Sequence, residues 1–171
     1  MHRYFFTTKD AFINSGSDSI TGEDYTDKNT GQDEILELKK VFNNRDFSYN
    51  TRVLVQFDAD EINSFITSSN ISPDYKTNLR LWETKGTSGL SETYTIAAYP
   101  VSESWNEGVG KEADKPKTTD GVSWKNRHYP AGGSEVTWAT TGGTYISGDE
   151  VTQSFSSESP DLNIDITSIA K

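Results

Sequence analysis

Short runs in which apolar and polar residues alternate, each closed by a turn signal, constrain the fold of this chain more than any other feature. In RVLVQFD, residues 52–58, Val53, Val55 and Phe57 fall on one face and Arg52, Leu54 and Gln56 on the other, which is the period of a strand. In NLRLWET, residues 78–84, Leu79 and Leu81 face inward while Arg80 and Trp82 face outward. Residues 94–101, 135–139, 144–146, 151–155 and 162–166 repeat the pattern, and Pro100 suits the end of a strand or an edge. The pairs Gly132-Gly133 and Gly142-Gly143 open turns before two of these runs, and Pro73 with Asp74 marks another.

The N-terminal run is less regular. Tyr4, Phe5 and Phe6, then Ala11, Phe12 and Ile13, flank polar residues, which predicts a first strand that is broken or bulged before it turns at residues 14–17. EILELKKVF, residues 34–42, fits helix or strand on pattern alone. The alternation of Leu36 and Leu38 with Glu37 and Lys39, and the NNRD turn that follows, favour a strand.

One segment changes period. Asp58 stands three residues before Glu61, and Ile62, Phe65 and Ile66 recur at helical spacing, so a short helix capped by Asp58 is expected, its apolar stripe covering part of the core. Short strands, frequent turns and one short helix predict an all-β fold, an antiparallel β-sandwich. At 171 residues the chain suffices for one domain over residues 1–171, and a domain of this size buries roughly 70% of the surface of its unfolded chain. Hydrophobic residues make up only 32% of the sequence but aromatic ones 12%, so large rings must replace aliphatic mass in the core.

Three loops are expected. Residues 99–124 are too long to be buried without stranding backbone groups, so they should run over the surface, with Tyr99, Trp105 and Trp124 as anchors. Residues 18–32 carry four acidic residues and two glycines and read as exposed. Their acids suggest a calcium loop, but no glutamate closes a loop of EF-hand length, and a solvated surface is the favoured reading. Residues 86–89 form the third loop.

The net charge of −10 argues against a nucleic-acid backbone or an anionic membrane as partner. Cysteine is absent, no apolar run has the length of a membrane helix, and MHRYFFTTKD lacks the features of a signal peptide. No cofactor is expected. Glu103 and Glu107 could converge as the carboxylate pair of a glycosidase, but a structural role is favoured and no enzyme is expected. His2 and His128 are read as surface residues, because a zinc site would have to join the N-terminus to a mid-chain loop. For sugar binding the aromatic pool is Trp82, Trp105, Trp124, Tyr129 and Trp138. Trp124 with Tyr129 is the preferred exposed pair, since KNRH between them supplies polar partners. A covered Trp82 is favoured over a ligand platform.

DAFINSGS, RVLVQFD with its short helix, LRLW, an apolar strand into SWNEG, then GVSW and DLNIDIT occur in an order that resembles the DNRLRE family, named for disaggregatase-related repeats, over residues 10–171. The resemblance implies a jelly-roll-like β-sandwich, in which Trp105 plugs the core and Glu107 bonds turn amides, of a kind found in secreted, cell-surface and carbohydrate-related proteins. TTKDAFINSGS, GQDEILELKK, YTIAAYPVSESWNEG and PKTTDGVSW are also similar to structural proteins of tailed phages of marine cyanobacteria. That similarity implies a non-enzymatic virion component, a tail, neck or head accessory subunit docking on other virion proteins or copies of itself. The alternative is a carbohydrate-binding module for host surface polysaccharide. In the family, the segment matching DLNIDITSIAK continues through a helix into a closing strand, whereas this sequence stops at Lys171. The expectation is a fragment, or a sandwich closed by a neighbouring subunit through β-augmentation.

Overall fold

The computed structural model describes residues 2–17, 22–42, 48–84, 93–156 and 161–170. The expected turn at residues 43–46, the loop at 86–89 and residues 18–21 of the acidic loop lie outside the described residues. The elements are β1 (Thr7–Asn14), β2 (Lys40–Phe42), β3 (Ser48–Phe57), α1 (Ala59–Ser68), β4 (Asn78–Leu81), β5 (Thr93–Ala98), β6 (Asn126–His128), β7 (Val136–Thr137), β8 (Val151–Ser156) and β9 (Leu162–Asp165). The fold is all-β with one short helix, and the strand pairs are antiparallel. The chain divides into two compact units, Met1–Phe65 with Glu103–Thr144, and Ile66–Ser102 with Tyr145–Lys171.

In the first unit a sheet of order β1-β3-β2 accompanies the β6-β7 pair. β1 bulges between Thr7 and Lys9, as its broken pattern suggests. Its edge away from β3 is closed by side chains in place of a strand. The Thr30 hydroxyl takes both the N–H and the C=O of Phe12, and Glu107 Oε1 accepts from Asp10 N at 2.9 Å. Leu54 turns into a core of Ala11, Ile13, Trp105, Val122 and Trp138, so Arg52 and Leu54 lie on the core side of β3. Val53, Val55 and Phe57 are half-buried on its other face.

The 34–42 stretch is a strand only in its last three residues. Upstream, the Thr51 hydroxyl accepts from Lys39 N and donates to Glu37 O. One side chain thus does what a ladder would do, and Ile35 and Leu38 are left exposed.

Asp58 caps α1 as its spacing predicts, with Oδ1 accepting from Asp60 N at 2.9 Å and Glu61 N at 3.1 Å. The helix does not cover the core in the expected way, because none of its residues is buried. Its stripe meets the N-terminal arm instead. Phe5 lies edge-on to Phe65 with centroids 5.7 Å apart, the Arg3 guanidinium sits 5.7 Å from both rings, and Arg3 pairs with Glu61 at 3.3 Å.

The second unit contains the β5-β8 and β4-β9 pairs. Phe155, Leu162 and Ile164 form its core, with Leu79, Leu81, Tyr94 and Ile96 packed against them. The Tyr94 and Phe155 rings, opposite each other across β5 and β8, stack at 4.9 Å. The Gln153 amide joins β8 to β9, accepting from Asn163 N at 2.8 Å and donating to Asp161 O at 3.3 Å. The strand expected at 144–146 is reduced to an isolated bridge between Val101 and Tyr145.

Within the first unit the 103–124 part of the long loop is anchored by Trp105 and Trp124 as expected and is mostly exposed or half-buried, whereas the exposed reading of the acidic stretch is overturned. From residue 103 onward, the stretch up to Trp124 contributes Trp105 and Val122 to the core and buries Gly110, Gly121 and Ser123. Its backbone is satisfied by irregular pairing. Val122 N donates to Asn106 O at 2.8 Å, Asn106 N to Arg127 O at 3.0 Å and Gly121 N to Tyr129 O at 3.1 Å. The acidic stretch, expected to be exposed, buries residues 28–31.

Candidate functional site

Asn29 explains why a polar segment lies inside. Its side chain is wholly buried, with Nδ2 donating to Glu107 O at 2.7 Å and Val122 O at 2.8 Å, and Oδ1 accepting from Gly110 N at 2.7 Å and Gly31 N at 3.3 Å. All four hydrogen-bonding positions of the amide are filled by backbone, so burial costs it little. The approach is possible because the surrounding residues lack side chains. A Cβ on Gly108 would stand 2.5 Å from Asn29 Oδ1, and one on Gly31 would stand 2.1 Å from Glu107 O. The closely spaced glycines of NEGVG and the TDG glycine were the available signal, but nothing local pointed to Asn29.

The acids of the 22–32 stretch are occupied by the chain's own lysines. Lys125 Nζ donates to Asp24 Oδ2 at 3.0 Å, and Lys117 Nζ donates to Asp27 Oδ1 at 2.5 Å and Asp24 O at 2.8 Å. Among the described residues no group of three or more histidines and carboxylates is arranged to hold a metal ion.

Partial burial pushes the Asp24 carboxyl up, but hydrogen bonds from the Thr26 hydroxyl and amide and from Lys125 outweigh it and hold the group at about 2. A carboxyl lowered on folding contributes stability that is complete above its unfolded value near 4 and is lost as pH falls through 2. Because 44% of this side chain is exposed, solvent screening limits the contribution to about 1 kcal/mol. Unfolding free energies of the wild type and Asp24→Asn, from urea titrations taken from about pH 5 to pH 2, should converge by about that amount.

A second charged group lies around Lys28, whose side chain is only 3% exposed. Its ammonium meets Glu23 at 3.3 Å and lies 5.3 Å from the centre of the Tyr25 ring. Nearby, Oε2 of Glu112 is buried without a hydrogen-bond partner. Burial pushes the Glu112 carboxyl up, against the fields of Lys28 and Lys39.

Glu103 and Glu107 each serve the fold. Glu103 Oε2 accepts from Ala139 N at 3.0 Å, and the Thr144 hydroxyl, then that amide, hold its carboxyl below the ordinary range. Glu107 bonds a strand amide, that of Asp10, where a turn amide was expected. Trp105 is buried in the core. His2 is exposed and His128 half-buried.

The aromatic candidates differ in setting. Trp124 is half-buried against the core, with the Arg52 guanidinium 4.8 Å from its ring centre. Arg52 is itself held by Gly142 O at 2.6 Å, and a Cβ on Gly142 would come within 2.7 Å of the indole. Tyr129 is half-buried. Trp138 is in the core, donating from Nε1 to Ser123 O at 2.9 Å.

Trp82, in the second unit, is 61% exposed, against the expectation of a covered ring. It projects from the end of β4 on an otherwise polar face. Asn78 and Arg80 of β4 lie opposite Asp165 and Asn163 of β9, all exposed. Asn78 Nδ2 donates to Asn163 Oδ1 at 3.3 Å, and the Arg80 guanidinium lies 5.3 Å from the Trp82 ring centre. One flat aromatic beside amides, a guanidinium and a carboxylate can stack on a ligand ring and bond its edge.

No family model, curated protein or solved structure matches this chain. Among the described residues no helix is long and apolar enough to cross a membrane.

Proposed function

We propose that the chain is a non-enzymatic structural module of a bacteriophage particle, a tail, neck or head accessory subunit that works by docking on other virion proteins or on copies of itself. The similarity of TTKDAFINSGS, GQDEILELKK, YTIAAYPVSESWNEG and PKTTDGVSW to structural proteins of tailed phages supports the virion part of this reading. The observation that carries the non-enzymatic part is the use made of the two carboxylates a glycosidase would need. Both Glu103 and Glu107 accept from backbone amides, and groups that hold the fold in this way are poorly placed to exchange protons with a substrate. Apolar side chains face solvent elsewhere, with Phe6 80% exposed, and such residues are the material of protein interfaces.

A second reading, a module that binds host surface polysaccharide, is favoured by the Trp82 face alone. Light scattering on protein from its natural source, together with a tryptophan-fluorescence titration with host polysaccharide, separates the two. A stable oligomer or particle-bound species with no fluorescence change is expected for docking. Saturable quenching lost in Trp82→Ala would transfer the assignment to sugar binding, and cleavage of the polysaccharide would overturn both.

A further inference from the structure

Residues 2–6 run ahead of β1 without joining a strand, yet they continue its alternation. Phe5 turns onto α1 through Phe65, and Tyr4 and Phe6 on either side of it turn outward, 59% and 80% exposed. The helix they meet is itself poorly covered. No strand of the first unit packs against α1, and none of its residues is buried. Ile62 and Phe65 on its apolar stripe are therefore only half-buried, and an amphipathic helix gains most of its stability from what covers that stripe.

The charges are divided in the same way as the apolar groups. Arg3 stands on the arm, and Asp60 and Glu61 stand exposed in the first turn of α1. Arg3 pairs with Glu61 at 3.3 Å, but its side chain remains 53% exposed, and a guanidinium has five donors to place. One surface thus carries both members of each complement, an outward aromatic pair with a half-covered apolar stripe, and a cation with exposed acids. A surface of that composition fits itself across a twofold axis, each half meeting its opposite twice.

We propose that the 2–6 arm and α1 form a dimerisation surface whose occupant is a second copy of this chain. Tyr4 and Phe6 of each copy lie on the part of the other copy's Ile62 and Phe65 stripe that Phe5 leaves open, and Arg3 reaches the other copy's Asp60. Each arm is then clamped between two helices, its own through Phe5 and the second copy's through the outward rings. The burial of four exposed rings and two half-covered stripes supplies the apolar centre, and the charges supply the rim. This inference rests on the docking reading and names the partner and the surface it uses.

The test is sedimentation equilibrium of the whole chain, joined to cross-linking from a photoreactive phenylalanine analogue in place of Phe6. Mixing isotopically heavy and light protein separates cross-links between copies from those within one. The wild type should dimerise, and the mixed product should map to residues 59–65 of the second copy. Phe6→Ser should weaken the dimer about 30-fold or more, the loss expected at an interface hot spot. Val109→Ser, which removes another exposed apolar side chain of the first unit, should leave it unchanged. A monomer at every concentration, a dimer insensitive to Phe6→Ser, or cross-links between copies that miss α1 overturns the proposal. Should Phe6→Ser fail to fold, the cross-link decides alone. A monomer that is nevertheless bound to particles from its natural source would leave the docking reading standing without this surface, and a monomer found free of them would end both.

Discussion

Asn29→Ala is expected to unfold the first unit under conditions in which the wild type is folded. The substitution removes one side chain but orphans four backbone groups, Glu107 O, Val122 O, Gly31 N and Gly110 N. Each buried group left unpaired costs about 1–3 kcal/mol. The sum, about 4 kcal/mol or more, is a large part of the roughly 5–15 kcal/mol available to a domain. Asn29→Asp should fail as well, although it keeps the shape, because it presents carboxylate oxygen to two carbonyls in place of an N–H donor. Circular dichroism and a urea titration would measure both. A loss below about 1 kcal/mol would mean that water reaches the node and replaces the amide.

Gly121→Ala should be nearly as damaging, by a different route. Gly121 has φ of +121°, and a Cβ there would lie 2.3 Å from Gly108 Cα, 2.6 Å from Asn29 Nδ2 and 2.8 Å from Glu107 O. Two of these neighbours are backbone and the third is held by its own hydrogen bonds, so none can yield cheaply. Strain and overpacking together should cost about 3 kcal/mol or more. Gly132→Ala separates the two causes. Gly132 also has a positive φ, +71°, but nothing lies within 4 Å of its added Cβ, so only the backbone term, about 1 kcal/mol, should appear. Equal losses in the two variants would show that crowding around Asn29 is not what sets the cost at Gly121.

Both predictions concern residues whose importance was hidden in the sequence, and the reason is distance along the chain. Asn29 finds acceptors 78 and 93 residues away. No local pattern announces such a partner, so a polar stretch with four acids read as solvated surface. The buried points of residues 103–124 beyond the Trp105 and Trp124 anchors were hidden for the same reason. Their length argued for a surface path, because isolated backbone cannot be buried, yet Asn29, Arg127 and Tyr129 supply the buried points of that backbone with partners from elsewhere. Trp124 was a fair candidate for an exposed ring by its polar neighbours, but Arg52 and Gly142 come to it from other parts of the chain. Trp82 went the other way, since a lone outward indole in a strand is usually covered.

What the sequence determined by itself is what depends on neighbours within a few positions. Period-two alternation placed Leu79 and Leu81 inward and Arg80 and Trp82 outward, and likewise marked β8 and β9. The spacing of Asp58 and Glu61 placed the start of α1, and the broken first run placed the bulge in β1. The all-β class follows from these, because each rests on backbone geometry and side-chain direction that a short segment carries with it. Only the tertiary structure decided which polar side chains are spent inside. A buried amide or carboxylate is stable in proportion to the partners it finds. For Asn29, Thr30 and Thr51 those partners are backbone groups brought close only when the chain has folded.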